Sequence, residues 1–443
     1  MKLIKSSIVL FIASLVFFQS CKENFIAPTY SLSTYARNFE GEPAMDWMVL
    51  LCKIIANESR YNPPKASRIY AYTCINLYES VVNGMPGHLS LAGQLNQMPA
   101  MPKPDDELIY DWPSVLAGSM PVAIKGILVN AYSNSIASIN ALRDSQIVQR
   151  KRIVSSDVVD RSVLYGETVA NKILDWSSTD GYAQTRGLPY TPPPRSQNPA
   201  NWEPINPGDT AEEPYWGTLR PFAMPTPNAC DIPPTFPFDT TIGSLFYNDQ
   251  LEIKNLRSGL TQEQKNIALF WRDKQLTPTP PGHWVYIAAQ MVTKLNLRLD
   301  KTSEMFALVG IAVGDAFISA WEAKYHYNYL RPQSYIRDYI QPGWTPYLPT
   351  PPFSDYPSGH STESGSSAYV LTQLFGTVAF TDTTHISIGM AARYFNSFYD
   401  AADECSDSRQ YGGIHYRDAC ETGVLRGKLI GQVIFQRVRL RIY

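Results

Sequence analysis

The sequence predicts an all-α protein, a helical bundle made of one or two packed four-helix bundles with a long Pro/Trp-rich irregular insertion. Three observations predict it. Apolar residues recur at three- and four-residue spacing along most of the chain, short alternating strand patterns are rare, and the composition shifts to Pro, Trp and Tyr between Gly187 and Phe238. With 443 residues, 44% of them apolar, the chain can bury a large core, and length alone suggests one big or two moderate domains. A formal charge of −2 gives no sign of a nucleic-acid partner.

The chain starts with Lys2 and Lys5, an apolar run from Ile8 to Phe18, then Gln19-Ser20-Cys21, the layout of a secretory signal. The run is too short to span a bilayer stably. A small residue just before Cys21, with Phe18 third before it, resembles a bacterial lipobox, in which the cysteine becomes the lipidated first residue of the mature protein. Plain signal-peptidase cleavage is the alternative. The expected organisation is a signal peptide over 1–20, a polar tether over 21–41 and a folded body over 42–443. That layout describes an exported bacterial lipoprotein, held to the membrane by its N-terminal anchor, at the outer membrane or in the periplasm and cell surface.

With Cys21 set aside, Cys52, Cys74, Cys230, Cys405 and Cys420 are an odd number in a compartment where disulfides persist. Cys52 with Cys74, and Cys405 with Cys420, are the candidate bridges. The absence of Cys-x-x-Cys argues against a thiolate zinc site.

Helical periodicity begins at about Glu42. Met45, Met48, Leu51 and Ile55 share a face, as do Ile69, Tyr72, Ile75, Tyr78 and Val82 after Pro63-Pro64. Further helices are predicted over 119–143, 157–177, 245–258, 262–272, 284–298, 301–328, 360–375, 383–399 and 417–440. These stripes are read as core. The aromatic content of 187–238 argues for an ordered segment that wraps over the helices and borders a site, or else for a surface brace.

Three segments carry chemistry. In Asp355-Tyr-Pro-Ser-Gly-His360, Ser358 and Gly359 open an apolar helix, so free backbone N–H groups meet an anion there and His360 can exchange a proton with it. Taken alone, this turn is only an N-cap. Trp321-Glu-Ala-Lys324 ends a long apolar helix, and Arg331-Pro332 follows seven residues after the lysine. Ser408-Arg409-Gln-Tyr-Gly412-Gly413-Ile-His415 allows a tight approach before the last helix. Together, Lys324, Arg331, Arg409, the Ser358 hydroxyl, the Gly359 N–H, His360 and His415 form a set suited to a tetrahedral oxyanion, since so many cations need an anion to neutralise them.

Lys-x6-Arg-Pro, Pro-Ser-Gly-His and Ser-Arg-x5-His resemble the three motifs shared by vanadium-dependent haloperoxidases and type 2 phosphatidic acid phosphatases. The resemblance implies a single α-helical domain over 42–443 with its site in 321–421. It implies that His415 is the axial ligand of a vanadate cofactor, or a phosphatase nucleophile. Lys324, Arg331, Ser358, Gly359 and Arg409 would hold the equatorial oxygens, and His360 would be the acid/base group.

Residues outside the motifs lean toward the haloperoxidases. Trp321 and Pro351-Pro-Phe353 are similar to residues near their halide site, and Phe270-Trp271, Thr279-Pro-Pro-Gly-His283-Trp284 and Trp202-Glu-Pro204 look like stretches of bacterial, iodoperoxidase-like members. The implied reaction is oxidation of halide, iodide first and possibly bromide, by hydrogen peroxide, with small organic acceptors receiving the product. His360 would take a peroxide proton and Lys324 would polarise the oxygen that the halide attacks. A secreted acid phosphatase working through a phosphohistidine is the alternative, and a non-catalytic surface lipoprotein the third reading. One departure concerns the second shell of His415: the family commonly has an aspartate four residues after this histidine, where this chain has Ala419. Asp418, three residues on, is the expected substitute, with Glu421 or a backbone carbonyl as alternatives.

Overall fold

The computed structural model describes residues 32–206, 208–274 and 276–442. The signal peptide, Cys21 and the first part of the tether lie outside the described residues. Helices α1 (Glu42–Asn57) and α2 (Pro63–Val81) form where the periodicity places them. Asn62 caps α2 by accepting from Lys65 N–H, and Pro63-Pro64 fill its first turn, where no N–H is missed. The stretch expected as one helix over 119–143 is two, α3 (Trp112–Ile127) and α4 (Ser133–Lys151). Asn130, at φ 59°, turns the chain between them.

Next come α5 (Ser156–Ser177), the single turn α6 (Tyr182–Thr185), α7 (Leu245–Gly259), α8 (Gln262–Phe270), α9 (Thr279–Lys294), α10 (Leu299–Tyr327), α11 (Pro332–Tyr339) and α12 (Gly359–Phe375). The helix expected over 383–399 does not form. Phe380–Asp382 (β1) pairs antiparallel with Arg393–Phe395 (β2), and Gly389 at φ 84° turns the chain between them. The Thr383 and Thr384 N–H groups are taken by the side chains of Gln290 and Asp382 instead of by a helix ladder. Helix α13 (Phe398–Tyr411) follows, capped by Ser397, and α14 (Arg417–Arg437) closes the bundle.

Helix α10 is the axis of the core. It is long and apolar enough to cross a membrane, but its apolar window is completely buried by α2, α9 and α12, so it is a core helix. Helix α3 packs on α5, and α12 on α14. A single hydrophobic cluster runs from Ala36 to Val438. The end of the expected tether belongs to this body: Ser33 Oγ accepts from Tyr110 N–H at 2.8 Å, Thr34 C=O accepts from Trp112 Nε1 at 2.8 Å, and Phe39 C=O accepts from Leu299 N–H at 3.0 Å.

The described residues of the Pro/Trp-rich insertion pack on the helices, with Trp202 and Trp216 buried. Asp315 of α10 holds it down by accepting from the N–H groups of Phe222, Ala223 and Met224 at 2.6, 2.8 and 2.9 Å. Cys52, Cys74, Cys230, Cys405 and Cys420 are all buried free thiols, so neither expected bridge forms.

Candidate active site

Ser358 is a true N-cap, its hydroxyl accepting from Ser361 N–H at 3.2 Å, while its own N–H donates to Ala419 C=O at 2.9 Å and ties the start of α12 to α14. Gly359 follows because space is short: a Cβ there would sit 3.1 Å from the Trp321 ring. His360 comes next, with Nε2 buried and without a partner. Burial first, and then Arg409, hold its pKa well below the ordinary imidazole value.

Lys324 and Arg331 do not share one helix face. Asn328, at φ 49°, ends α10, and Arg331 is the extended residue just before Pro332 of α11. Lys324 Nζ is ringed by the carbonyls of Ser354, Asp355 and Pro357 at 3.1, 2.7 and 2.5 Å. Burial, with Arg331 adding to it, pulls the Lys324 pKa well down, and the nearby Asp355 carboxyl opposes that shift. Arg331 donates through Nε to Phe353 C=O and through Nη1 to Ile414 C=O, both at 2.7 Å. The Phe353 ring lies 5.0 Å from Trp321 and takes the Arg331 and Lys324 cations on its face at 4.6 and 5.1 Å.

Arg409, in the last turn of α13, donates Nη1 to Trp271 C=O at 2.5 Å. Gly413, at φ 69°, then turns the chain so that His415 precedes α14. His415 Nε2 accepts from Arg331 Nη1 at 3.1 Å, which leaves the proton on Nδ1. Nδ1 stands 2.9 Å from Asp355 Oδ1, close but off the line of a well-formed hydrogen bond. Burial and then Arg331 push the His415 pKa well down, so the ring is neutral with a lone pair on Nε2.

The residue expected to orient His415 is elsewhere. Asp418 accepts from Thr235 N–H at 3.1 Å and from its hydroxyl, which pins the insertion to α14. Asp355, sixty positions before the histidine, occupies the place expected for Asp418. Burial raises its carboxyl to about 7 against the pull of Arg331 and Lys324.

These groups surround a cavity of about 70 Å³. Gly359, His360, Arg409, His415, Trp321 and Phe353 line it, whereas Lys324, Arg331 and Ser358 sit behind its wall. Glu212, Arg272, Asp273 and Lys274 also line it; none was singled out by sequence, and Glu212, Asp273 and Lys274 lie on segments without periodicity or motif. Arg331 Nη2, Arg409 Nε and His360 Nε2 are buried without partners. Unpaired buried donors around a neutral imidazole fit an oxyanion that supplies the missing acceptors. A second buried group, Asp273, His283 and His385, has metal-ligand chemistry, but its atoms are already engaged. His283 meets Asp273 at 3.0 Å and Asp382 at 2.7 Å, and His385 meets Asp273 at 2.9 Å.

Residues 304–442 match the family model described as the VCPO second helical-bundle domain. The crystal structure of a bacterial vanadium-dependent iodoperoxidase superposes with a TM-score of 0.83 at 33% identity, over 92% of this chain and 98% of that one. The chain belongs to the vanadium haloperoxidase family. A holo-type bacterial vanadium-dependent chloroperoxidase shares this haloperoxidase fold, with a TM-score of 0.64 at 16% identity over 86% of this chain and 93% of that one. The vanadium chloroperoxidase of Curvularia inaequalis is 23% identical over 287 residues, spanning 54% of this chain. The chain spans 46% of the length of that curated relative.

Proposed function

We propose that this family member is a vanadium-dependent haloperoxidase that oxidises halide, iodide most readily, with hydrogen peroxide to a hypohalous-acid equivalent. The observation that carries this reading is the 33% identity, over 92% of the chain, to a protein described as an iodoperoxidase. Vanadate bound here would supply a Lewis-acid centre at which peroxide becomes electrophilic toward halide.

The chain's own residues have distinct tasks. His415 would hold the vanadium through Nε2, whose lone pair now accepts from Arg331 Nη1. Arg331 and Arg409, with their unpartnered nitrogens, and the Gly359 N–H balance the oxyanion's charge, and the Ser358 hydroxyl, now engaged with Ser361, would have to turn to join them. His360, neutral at working pH, accepts a proton from peroxide at Nε2. Lys324 keeps the Ser354–Pro357 segment in place, and it reaches an oxyanion only by exchanging one of its carbonyl bonds. Trp321 and Phe353 form an apolar wall, which favours the weakly hydrated iodide over smaller halides.

The test uses purified protein loaded with orthovanadate and cleared of excess. Triiodide formation and bromination of a phenol dye are assayed with peroxide, and p-nitrophenyl phosphate hydrolysis is assayed without vanadate. Peroxide-dependent halide oxidation that needs vanadate and vanishes in His415→Ala and His360→Ala is expected. Phosphate release alone, blocked by vanadate, would replace this reading with a phosphohistidine acid phosphatase. The N-terminal part of the proposal, lipid anchoring through Cys21 at the outer membrane, predicts labelled fatty acid on the wild-type chain and none on Cys21→Ala.

A further inference from the structure

The insertion sends two adjacent acids in opposite directions. Glu213, at φ 47°, turns to α2, where its carboxylate meets Lys65 Nζ at 2.7 Å and Asn62 Nδ2 at 2.9 Å. Glu212 turns inward. Its N–H donates to Pro352 C=O at 3.0 Å, and its carbonyl accepts from Trp321 Nε1 at 3.1 Å and Tyr325 Oη at 2.8 Å. Those bonds fix its backbone to the walls that carry Trp321 and Phe353. Its side chain lines the cavity shared by His360, Arg409 and His415, and Oε1 is fully buried without a hydrogen bond.

An unpaired carboxylate is out of place in a cavity built for anions, since it desolvates itself and repels what the cavity attracts. Among the described residues no cation closes an ion pair with it. Burial acts on it most strongly; of the surrounding charges Lys274, on the same cavity wall, comes first, ahead of Glu213, Lys65 and Arg331. We propose that Glu212 is a pH-dependent gate for halide: as the neutral acid it admits a halide ion beside Trp321 and Phe353, and as the carboxylate it repels that ion and turns to Lys274. The identity of the anion rests on the haloperoxidase reading.

Burial pushes the Glu212 carboxyl up to about 7, so the gate changes state near neutrality. The sign follows directly. Halide binding strengthens as pH falls through that value and weakens as it rises. Other charged or titratable groups line the same cavity: Lys274, whose pKa burial lowers, and Arg272, Asp273, Arg409, His360 and His415. Asp355, also raised to about 7, sits against His415 rather than beside the halide wall, and His360 is held well below the ordinary range.

The test is equilibrium dialysis of radioiodide against the vanadate-free protein, about one pH unit below and above the Glu212 value. With one carboxyl controlling entry, affinity should fall about tenfold across that span. Glu212→Gln, a neutral isostere, should bind at the acid-side affinity throughout, with less than about a twofold change. An identical pH dependence in Glu212→Gln, or no dependence in the parent, overturns the proposal. Should Glu212→Gln fail to fold, Lys274→Met probes the same gate: removing the cation should move the midpoint to higher pH, and an unmoved midpoint overturns it. In the vanadate-loaded parent, halide KM should follow the same profile. A loaded parent that oxidises no halide would overturn the haloperoxidase reading, and dialysis would still decide the gate.

Discussion

Asp355 Oδ1 stands 2.9 Å from His415 Nδ1, the nitrogen that carries the proton because Arg331 Nη1 donates to Nε2 at 3.1 Å. A carboxylate behind a metal-ligating imidazole holds its tautomer and raises its basicity. Asp355→Asn keeps the shape and removes the charge, so vanadate affinity should fall by about 10–100-fold, measured by equilibrium dialysis. Asp418→Asn, whose carboxylate serves Thr235, should leave that affinity within about twofold. Equal losses in both variants would show that Asp355 has no special role.

The three motif segments were legible because each is local: a cap, a helix end, a glycine turn. Which residue orients His415 was not. Sequence spacing offered Asp418 and Glu421 on the same helix, whereas the partner arrives from the turn before α12, brought there by the packing of α12 on α14. Glu212, Asp273 and Lys274 were invisible for a related reason, since loops without periodicity reveal their direction only in three dimensions. The break at Asn130 and the β1–β2 hairpin were missed because apolar spacing alone continues across both. The insertion's aromatic content was a sound guide to its packing on the helices, and Asp315 shows how that packing is fixed.

Lys324 has a structural task. Its ammonium serves three backbone carbonyls of the turn that carries Asp355 and Pro357. Lys324→Met strips the donor from all three, and a stability loss of about 3 kcal/mol is expected in urea unfolding. Arginine should not rescue it, because a planar fork cannot fill a three-carbonyl ring around one nitrogen. Full stability in Lys324→Met would mean that the carbonyls find other donors.

The approach of α12 to α14 depends on glycine. A Cβ at Gly427 would lie 2.1 Å from Thr362 C=O, and one at Gly365 2.3 Å from Val424 C=O. Gly427→Ala should therefore destabilise by about 1–3 kcal/mol. It should also weaken vanadate binding, because α12 starts beside His360 and α14 just after His415. Gly259→Ala at the end of α7 has nothing within 4 Å of the new Cβ, and a change within about 0.5 kcal/mol is expected by thermal unfolding. Similar effects at the two positions would contradict the close-packing argument.

His283 lies fully buried between two carboxylates, Nδ1 at 3.0 Å from Asp273 and Nε2 at 2.7 Å from Asp382, with the Trp271 ring stacked 4.4 Å away. Burial opposes its charge, but the two carboxylates outweigh burial and push its pKa up to about 10. The imidazolium in turn holds both carboxyls below their ordinary value in spite of burial. The group's folded pKa is above its unfolded value, so its contribution to stability is complete below the ordinary histidine range and is lost as pH rises through about 10. Melting temperature should therefore fall on the alkaline side in the parent. His283→Gln leaves two carboxylates buried without their cation, which should remove about 3–5 kcal/mol at neutral pH and flatten that alkaline limb. Because Asp273 carries the network to the cavity wall at a strained φ of 49°, the same variant should weaken vanadate binding. A His283→Gln protein that keeps the parent's alkaline limb would show that the imidazolium is not what titrates.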